Sequence, residues 1–311
     1  MRFQDPKLIK SIQLLVGKTN LRLNEPMSEH TTFRIGGPAD FYVTPTTQQA
    51  LIRLLELCLK KDLPYFIMGR GSNLIISDKG IRGVVISTSE LKHVIYMNDR
   101  IAANCGSDLW KLSQNSARRG LAGLEFACGI PGSVGGAVFM NAGAYNGEIS
   151  KVLISSRVLE IDPQSATPVR SRKLSLTDHF FSYRHSVFQE KSLIHLSSTF
   201  QLTKGNKESI MNEIERLTKE RENKQPLELP SAGSVFRRPE GFFVGKLIQD
   251  CNLRGFRIGG AAISDKHCGF IVNMGRASAK DVLALIEHVQ NTVQKRFGVL
   301  LQTEVRFVGE K

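Results

Sequence analysis

The chain has 311 residues, 41% hydrophobic and 23% charged, a composition typical of a globular protein with two or three domains. No apolar run approaches the roughly 18 residues that cross a bilayer, and no apolar segment of the kind found in a signal peptide follows residues 1–6. We therefore expect a cytoplasmic protein without a secretory signal. The five cysteines form no C-x-x-C pair, so we expect neither a disulfide framework nor a metal site.

The net charge of +13 favours an anionic partner. The basic residues are spread along the chain without a basic tail or a nucleic-acid-binding module. One tryptophan and five tyrosines offer little surface on which single-stranded bases could stack. These features favour a small anionic ligand over nucleic acid.

The first part of the chain predicts a β-α-β unit. Thr46 or Thr47 can cap a helix that continues to Lys61, because Leu51, Leu54, Leu55 and Cys58 recur at helical spacing. The elements expected here, in chain order, are a helix over residues 7–16, an irregular polar segment over 24–32, a strand over 41–43, the capped helix, and a short buried strand over 64–68.

The turn Gly69-Arg70-Gly71-Ser72-Asn73 directly follows the strand expected over 64–68. Glycines accept positive φ and allow close approach of the backbone, and successive N–H groups in such a turn can bind an anion. Leu74 stands where G-x-G-x-x-G requires its last glycine, and no Walker lysine follows. The segment is therefore neither a Rossmann fingerprint nor a P-loop, and a simple tight turn explains it equally well.

The middle of the chain predicts short strands, a helix and then a mixed sheet. Ser107 is expected to cap a helix that ends before Gly120, which suits the position just beyond a helix. The strands expected here cover residues 83–87, 93–97, 101–104, 152–161 and 193–202, and a charged helix over 208–224 follows them.

The segment over residues 129–145 is rich in glycine and alanine. Small residues let the backbone lie against a flat or phosphorylated ligand, Pro131 stiffens the entry, and Ser133 and Asn141 can form hydrogen bonds. Ordering such a segment costs much conformational entropy when nothing is bound. A cofactor site is therefore favoured over the alternative, a tightly packed glycine turn.

Beyond the loop over 226–230, the sequence predicts a separate C-terminal unit. Ser278 is expected to cap a long amphipathic helix, with Asp281 at the acid position of a capping box and Gly298 closing the helix. The other elements expected here are a helix over residues 243–251, a strand over 269–273 and a final strand over 301–308.

Seven short motifs follow one another along the chain. They are NEPMSEHTTFRIGG at residues 24–37, GRGSNL at 69–74, the glycine-rich segment over 129–145, FSYRHSVF at 181–188, SAGSVF at 231–236, GKLIQ at 245–249 and EVR at 304–306. In these motifs and in their order, the chain resembles the MurB family, the UDP-N-acetylenolpyruvoylglucosamine reductases of bacterial cell-wall synthesis, over nearly its whole length.

The resemblance implies a fold and a reaction. The fold class is α+β, a vanillyl-alcohol-oxidase-type FAD-binding fold in two lobes followed by an α+β substrate-binding domain. We expect the lobes over residues 1–66 and 67–222 and the substrate domain over 223–311. The reaction is the NADPH-dependent reduction of UDP-N-acetyl-3-O-(1-carboxyvinyl)-glucosamine to UDP-N-acetylmuramate in peptidoglycan precursor synthesis. FAD would be bound non-covalently, and we expect a monomer.

The resemblance also implies which residues bind FAD. Most belong to the two glycine-containing segments already described. They are Gly69, Arg70, Gly71, Ser72, Asn73, Leu74, Pro131, Gly132, Ser133, Gly135, Gly136, Asn141 and Gly143.

Arg184, Ser234 and Glu304 are implied as the catalytic residues. An arginine suits a carboxylate or a developing enolate, a serine hydroxyl can donate a proton to a strongly basic centre, and an inward-facing glutamate would have a raised pKa. From the residues alone, a surface turn, a turn-capping serine and an outward-facing, solvated glutamate remain open at these positions.

The substrate contacts implied are Tyr183, Lys246 and Gln249, with Arg237 for the UDP phosphates. Arg254 runs directly into residues 255–260, so the chain resembles the class of the family that lacks an extra tyrosine loop. Two alternatives stay open. One is another flavin oxidoreductase of the same fold, an oxidase of alcohols or phenols. The other is a non-catalytic protein that binds nucleotides or nucleic acid.

Overall fold

The computed structural model describes residues 5–310, so the expectation that the N-terminus carries no secretory signal falls partly on residues outside the described part. Within that part, no helix is both long and apolar enough to cross a membrane. The α-helices are α1 (Pro6–Val16), α2 (Gln48–Lys60), α3 (Leu109–Ala117), α4 (Val134–Phe139), α5 (Lys207–Lys224), α6 (Val244–Asp250) and α7 (Ala279–Phe297).

Many short strands accompany these helices. They are β1 (Leu21–Pro26), β2 (Pro38–Val43), β3 (Tyr65–Met68), β4 (Leu74–Ile76), β5 (Ile81–Ser87), β6 (Val94–Met97), β7 (Arg100–Asn104), β8 (Leu121–Ala122), β9 (Gly143–Ala144), β10 (Gly147–Glu148), β11 (Leu153–Ile161), β12 (Val169–Ser175), β13 (Leu193–Gln201), β14 (Thr203–Lys204), β15 (Ser231–Ser234), β16 (Arg257–Ile258), β17 (Ala261–Ile263), β18 (Phe270–Asn273) and β19 (Arg306–Val308).

The described residues form two compact units. Unit 1 comprises residues 5–23, 41–70 and 83–220, and unit 2 comprises residues 24–40, 71–82 and 221–310. Each unit has its own hydrophobic core. The three-part division expected from the sequence stays a prediction.

Unit 1 is built around a five-stranded antiparallel sheet with the strand order β12-β11-β13-β7-β6. The two long strands β11 and β13 were expected from the sequence and are confirmed, and their register places Ser156 opposite Ser198. The edge strand β12 was not expected. Most of its residues are exposed and polar, so it lacks the apolar alternation that identifies a strand.

The three elements of the predicted β-α-β unit are present as β2, α2 and β3, and the two strands lie in one sheet on either side of β5. Helix α2 begins at the predicted cap, since the Thr47 hydroxyl accepts the Ala50 N–H at 3.1 Å. Its leucines at 51, 54 and 55 are fully buried in a core that includes α1. Each leucine contributes about 1.5–3 kcal/mol relative to exposure.

Three expectations about element boundaries are wrong. Helix α3 begins after Asp108 instead of Ser107. The segment over 24–32 is not irregular, because β1 extends to Pro26 and a 3₁₀ turn over Met27–His30 follows. The final strand is only β19, because residues 302 and 304 bond instead to the backbone of residues 237 and 235.

Unit 2 contains a four-stranded antiparallel sheet with the order β15-β18-β17-β16, and α7 packs on its core. The capping box of α7 is confirmed. The Ser278 hydroxyl accepts the Asp281 N–H, and the Asp281 carboxylate accepts the Ser278 N–H, each at 3.0 Å. Gly298 closes the helix at φ 70°, as predicted. The Asp78 carboxylate also accepts two N–H groups of the first turn, a cap that the sequence did not indicate.

Candidate active site

The loop between β3 and β4 presents free backbone donors in unit 2. No hydrogen bond to a described residue uses the backbone N–H of Gly71, Ser72 or Asn73 as donor. Gly71 has φ 64°, and a Cβ there would lie 2.2 Å from the His30 carbonyl oxygen, so only glycine fits. Three successive N–H groups beside a left-handed residue form an arrangement that suits an anion.

The preceding residues of this loop are attached to the glycine-rich segment within unit 1. A Cβ at Gly69 would lie 2.2 Å from the Ser133 hydroxyl, so the missing side chain allows this close approach. Arg70 forms an ion pair with Asp108, whose carboxylate also binds Lys111. Ser133 in turn caps α4 by accepting the Gly136 N–H at 3.2 Å. The structure thus brings Gly69 and Ser133 together, as a shared site requires.

Part of the glycine-rich segment serves packing inside the protein. The Gly135 N–H donates to the Cys105 carbonyl at 2.8 Å, and a Cβ at Gly135 would lie 3.0 Å from Cys105 Cβ. A Cβ at Gly143 would lie 2.6 Å from the Gly147 carbonyl oxygen. At Gly136 the surroundings are more open, with Ser133 Oγ at 3.5 Å. Packing therefore accounts for two of the glycines by itself, and the role of the segment in cofactor binding stays a prediction.

Arg184 lies in a tight turn that is fastened to this segment. Ser182 and His185 pair across the turn, and Arg184 occupies a left-handed conformation with φ 57°. Its Nη2 donates to the Gly143 carbonyl at 2.9 Å, and Gln189 Nε2 donates to the Arg184 carbonyl at 3.0 Å. These contacts fix both the backbone and the guanidinium of Arg184.

Asn141 also holds this turn in place, through its side-chain amide. Its side-chain amide donates to the Ser182 carbonyl at 3.1 Å and accepts the Ser150 N–H at 3.0 Å. The residue is buried, and its φ of 41° suits asparagine. Tyr183, at the outer corner of the turn, is half exposed, and the Arg184 guanidinium lies 5.0 Å from its ring centre. Asn141 and Arg184, predicted separately, are thus structurally joined.

Ser234 ends strand β15 in unit 2, in much looser surroundings. Its hydroxyl makes a long contact of 3.4 Å to the Phe236 carbonyl. Gly233 beside it has φ 80°, and a Cβ there would meet nothing within 4 Å. A Cβ at Gly269 would lie 3.6 Å from Ser234 Oγ and 2.9 Å from the ring of His267.

His267 was not singled out from the sequence, where it is an isolated histidine without a partner motif. Its Nδ1 accepts the Gly269 N–H at 3.1 Å, so a neutral ring carries its proton on Nε2. Burial lowers the pKa of His267, and the nearby Arg254 lowers it further. A neutral imidazole therefore lies next to the strand end that carries Ser234.

Glu304 is held in unit 2 by its backbone. Its N–H donates to the Val235 carbonyl at 2.8 Å, and its own carbonyl accepts the side-chain amide of Asn73 at 3.0 Å. Glu304 therefore lies between Val235, which follows Ser234, and the loop over residues 71–73. The sequence placed it in a strand, whereas the structure places it, half-buried, just before β19.

The residues expected to contact substrate differ in how they are engaged. In the part of the chain that the structure describes, the buried Nε of Arg237 has no hydrogen-bond partner. Lys246, an exposed residue of α6, pairs with Asp250 at 2.9 Å. Gln249 accepts a hydrogen bond from Arg254 at 2.7 Å.

A cavity of about 550 Å³ lies elsewhere, on the sheet of unit 1. It is lined by the turn between β6 and β7 and by residues of β11, β12 and β13. None of the residues expected in the site lines it, so this cavity has no part in the arrangement described above.

Comparisons with known proteins match two long segments of the chain. A model described as FAD binding domain matches residues 39–162, and one described as UDP-N-acetylenolpyruvoylglucosamine reductase, C-terminal domain, matches residues 225–308. Together with the α+β architecture, they define a flavin-dependent oxidoreductase with a vanillyl-alcohol-oxidase-type fold, as predicted.

Similar proteins narrow this class. The chain is 48% identical to UDP-N-acetylenolpyruvoylglucosamine reductases of Clostridium botulinum strain Alaska E43 and, over slightly more residues, of Clostridium beijerinckii. The alignments cover 94% and 95% of both partners, respectively. The crystal structure of UDP-N-acetylenolpyruvylglucosamine reductase (MurB) from Thermus caldophilus is 33% identical, with a TM-score of 0.77, over 92% of this chain and 99% of that one. The chain belongs to the UDP-N-acetylenolpyruvoylglucosamine reductase family.

Proposed function

We propose that this enzyme reduces UDP-N-acetyl-3-O-(1-carboxyvinyl)-glucosamine to UDP-N-acetylmuramate for peptidoglycan precursor synthesis, with FAD as cofactor and NADPH as hydride donor. The observation that carries the proposal is the attachment of Arg184 to the carbonyl of Gly143. A fixed guanidinium on the expected cofactor segment suits a substrate whose reacting group bears a carboxylate. The names of the relatives support the same substrate.

The residues present fit a phosphate-bearing flavin nucleotide. The free N–H groups of Gly71, Ser72 and Asn73 suit its diphosphate, and Ser133 and the open side of Gly136 suit close contact with it. We propose these residues, with the remaining cofactor positions named from the sequence, as the FAD site. When bound, FAD supplies the hydride transfer between NADPH and substrate.

The protein's own residues would orient and protonate the substrate. Arg184 would bind the substrate carboxylate and stabilise the negative charge that builds on it. Glu304 would share this role only as a hydrogen-bonded or protonated acid, because a bare carboxylate would repel the developing enolate. Ser234 would donate a proton to C2, and the long contact to the Phe236 carbonyl leaves the hydroxyl able to reorient.

Four residues are proposed to bind the substrate itself. Arg237 suits the UDP phosphates best, because its buried Nε has no partner among the described residues. Tyr183 presents a half-exposed ring next to Arg184. Lys246 and Gln249 would have to exchange their contacts with Asp250 and Arg254 for contacts with substrate.

We also propose a cytoplasmic monomer with a small-molecule substrate and no nucleic-acid partner. The scattered basic residues support this proposal, since they form no tail or nucleic-acid module. The two FAD-binding lobes over 1–66 and 67–222 and the substrate domain over 223–311 belong to the same proposal. A C-terminal domain match that begins at residue 225 supports the last boundary.

The decisive experiment is anaerobic and uses the purified yellow enzyme. NADPH should bleach the flavin, and the UDP-enolpyruvyl sugar should then restore its colour. A colourless preparation without flavin would contradict the proposal. If the reduced enzyme ignored the sugar but reacted rapidly with oxygen, the alternative oxidase of alcohols or phenols would be favoured.

A further inference from the structure

A buried chain of four polar side chains lies in unit 1, outside the residues considered so far. His179 Nε2 is 2.8 Å from Ser156 Oγ, which is 2.7 Å from Ser198 Oγ. Ser198 Oγ is in turn 2.7 Å from His195 Nε2. All four residues are less than 9% exposed, and the two serines face each other across strands β11 and β13.

The protons of this chain can be assigned from its ends. His179 Nδ1 lies 2.7 Å from the Ser175 carbonyl, which only accepts, so Nδ1 carries a proton. In a neutral His179 ring, Nε2 then accepts from Ser156. Ser156 accepts from Ser198, and Ser198 accepts from His195 Nε2–H. This leaves His195 Nδ1 as a bare acceptor, the atom that is buried without a partner among the described residues.

Reversing the direction of the hydrogen bonds in this chain would cost free energy. A charged His179 would donate to Ser156 and reverse both hydroxyls, so that His195 Nε2 becomes an acceptor. The proton of His195 would then move to Nδ1, where a buried donor would have no partner. The observed geometry therefore favours two neutral histidines of opposite tautomer.

Both ends of the Arg184 turn rest on these two histidines. The ring of Phe181, which enters the turn, stacks on His179 at 4.9 Å and 16°. Phe188, which leaves the turn, lies with its ring 6.0 Å from His179 and 5.7 Å from His195. A shift of either imidazole would therefore move the aromatic supports of Arg184.

We propose that the chain His179–Ser156–Ser198–His195 positions the Arg184 turn for substrate reduction, with each histidine held in a single neutral tautomer. The four residues are positioning residues, and they act through Arg184 without contacting substrate. This inference rests on the proposed role of Arg184. Because positional errors of about 1 Å can cost 10²-fold in rate, loosening this support is expected to be visible in the rate.

Ser156→Ala tests the chain, because it removes two hydrogen bonds with little change in volume. In the holoenzyme, flavin reduction by NADPH should keep its rate, while reoxidation by the UDP-enolpyruvyl sugar should slow by about tenfold. Ser113→Ala is the matched control. Ser113 is equally buried and donates to the Leu124 carbonyl at 2.6 Å, away from the turn, so reoxidation should be unchanged.

Arg184→Lys and the double variant show whether the chain acts through Arg184. The effect of Ser156→Ala should vanish in the Arg184→Lys background, since no guanidinium is left to misplace. If Arg184→Lys alone left reoxidation unchanged, the proposed role of Arg184 would fail and this inference with it. If Arg184→Lys slowed reoxidation but Ser156→Ala did no more than Ser113→Ala, only the inference would fail. Ser198→Ala serves where Ser156→Ala does not fold.

A second measurement needs no catalysis. Correlations between ring protons and ¹⁵N in histidine-labelled enzyme at neutral pH should show His179 protonated on Nδ1 and His195 on Nε2. A charged His179, or the reverse pair of tautomers, would overturn the proposal. In Ser156→Ala the ring signals of His179 should change while those of His267, in unit 2, stay in place.

Discussion

The Arg184 turn and the Ser234 strand end are built in opposite ways. The turn is fixed by the amides of Asn141 and Gln189 and by the bond from Arg184 to Gly143. Ser234 has one long contact beside an open glycine. A cation that orients a carboxylate gains from rigidity, whereas a hydroxyl that gives up a proton must be able to reorient. The two proposed roles therefore differ in how tightly hydrogen bonds hold the residue in place.

Ser234→Ala should give the largest effect and would break this comparison if it failed. Loss of a general acid costs about 10²–10⁴-fold, so reoxidation by the UDP-enolpyruvyl sugar should slow by that factor. Reduction by NADPH should be unaffected. Rapid mixing with each substrate under anaerobic conditions measures the two steps separately.

The control for this prediction lies in the same strand. Ser231 begins β15, and its carbonyl, rather than its hydroxyl, accepts the bond from Thr32. Ser231→Ala should therefore leave both half-reactions intact. If Ser234→Ala behaved like Ser231→Ala, Ser234 would be a turn-capping residue and not the acid.

Arg184→Lys should slow reoxidation by about 10²-fold, because a lysine keeps the charge but loses the planar fork and its bond to Gly143. The affinity for the substrate should fall as well, which calorimetry on the oxidised enzyme would measure. Arg172→Lys, at an exposed arginine that pairs with Glu160, is the control. Normal reoxidation in Arg184→Lys would contradict the proposed role of the Arg184 guanidinium.

Asn141→Leu separates rigidity of the turn from its chemistry. Leucine is similar in size but leaves the Ser150 N–H unpaired and removes one of the two hydrogen bonds to the Ser182 carbonyl, so the free energy of unfolding should fall by about 2–3 kcal/mol. Denaturant titration would measure this loss. Asn98→Leu is the control, since Asn98 has a similar φ of 53° but is exposed, and it should cost much less. Equal losses would show that backbone strain, not the two hydrogen bonds, accounts for the effect.

Local signals in the sequence predicted the main helices of both units well. Helices α2 and α7 follow from their capping residues and apolar spacing, which act within a few residues. The polar edge strand β12 gave no such signal. Nor did the pairing of Ser156 with Ser198, which depends on the register between two strands 42 positions apart.

The catalytic residues were harder to predict from the sequence than the helices and strands. Arg184, Ser234 and Glu304 were singled out through the family resemblance, because an isolated arginine, serine or glutamate has a structural explanation at least as good. The sequence also gave no indication of the rigidity around Arg184. That property arises from Asn141 and Gln189, which contact the turn only in the folded chain.

Acid should weaken the support of Arg184 before it weakens α7. Burial lowers the pKa of His195 to about 3 and also lowers that of His179. Such groups stabilise the fold fully above the unfolded pKa of about 6.5, and their contribution is lost as the pH falls towards the folded value. His195 should therefore cost about 1.4 kcal/mol of stability per pH unit well below pH 6.5, and His179 should add a loss in the same direction.

Urea titrations between pH 6 and 4.5 (a range chosen to lie above the carboxylate values of about 4) would measure the slope. His195→Leu should reduce it by one proton, and an unchanged slope would show that His195 is not buried neutral. In α7, hydrogen bonds from the Ser278 backbone lower the pKa of Asp281. Its contribution should be lost only at lower pH, as the pH falls through that depressed value.

Ser278→Ala should have the smallest effect and completes the comparison within unit 2. It leaves the Asp281 N–H without its cap, which costs about 1 kcal/mol. The carboxylate of Asp78 still holds the first two N–H groups of the helix, so α7 should stay folded. Thr47→Ala removes a single cap bond in unit 1 and should cost a similar amount. Neither variant should slow reoxidation, since a serine or threonine that holds a helix end is not required to move.

A slower reoxidation in Ser278→Ala alone would mean that the end of α7 sets the position of Ser234 or Glu304. The position of the Ser234 hydroxyl would then depend on the helix of unit 2, and the contrast with the Arg184 turn would be weaker.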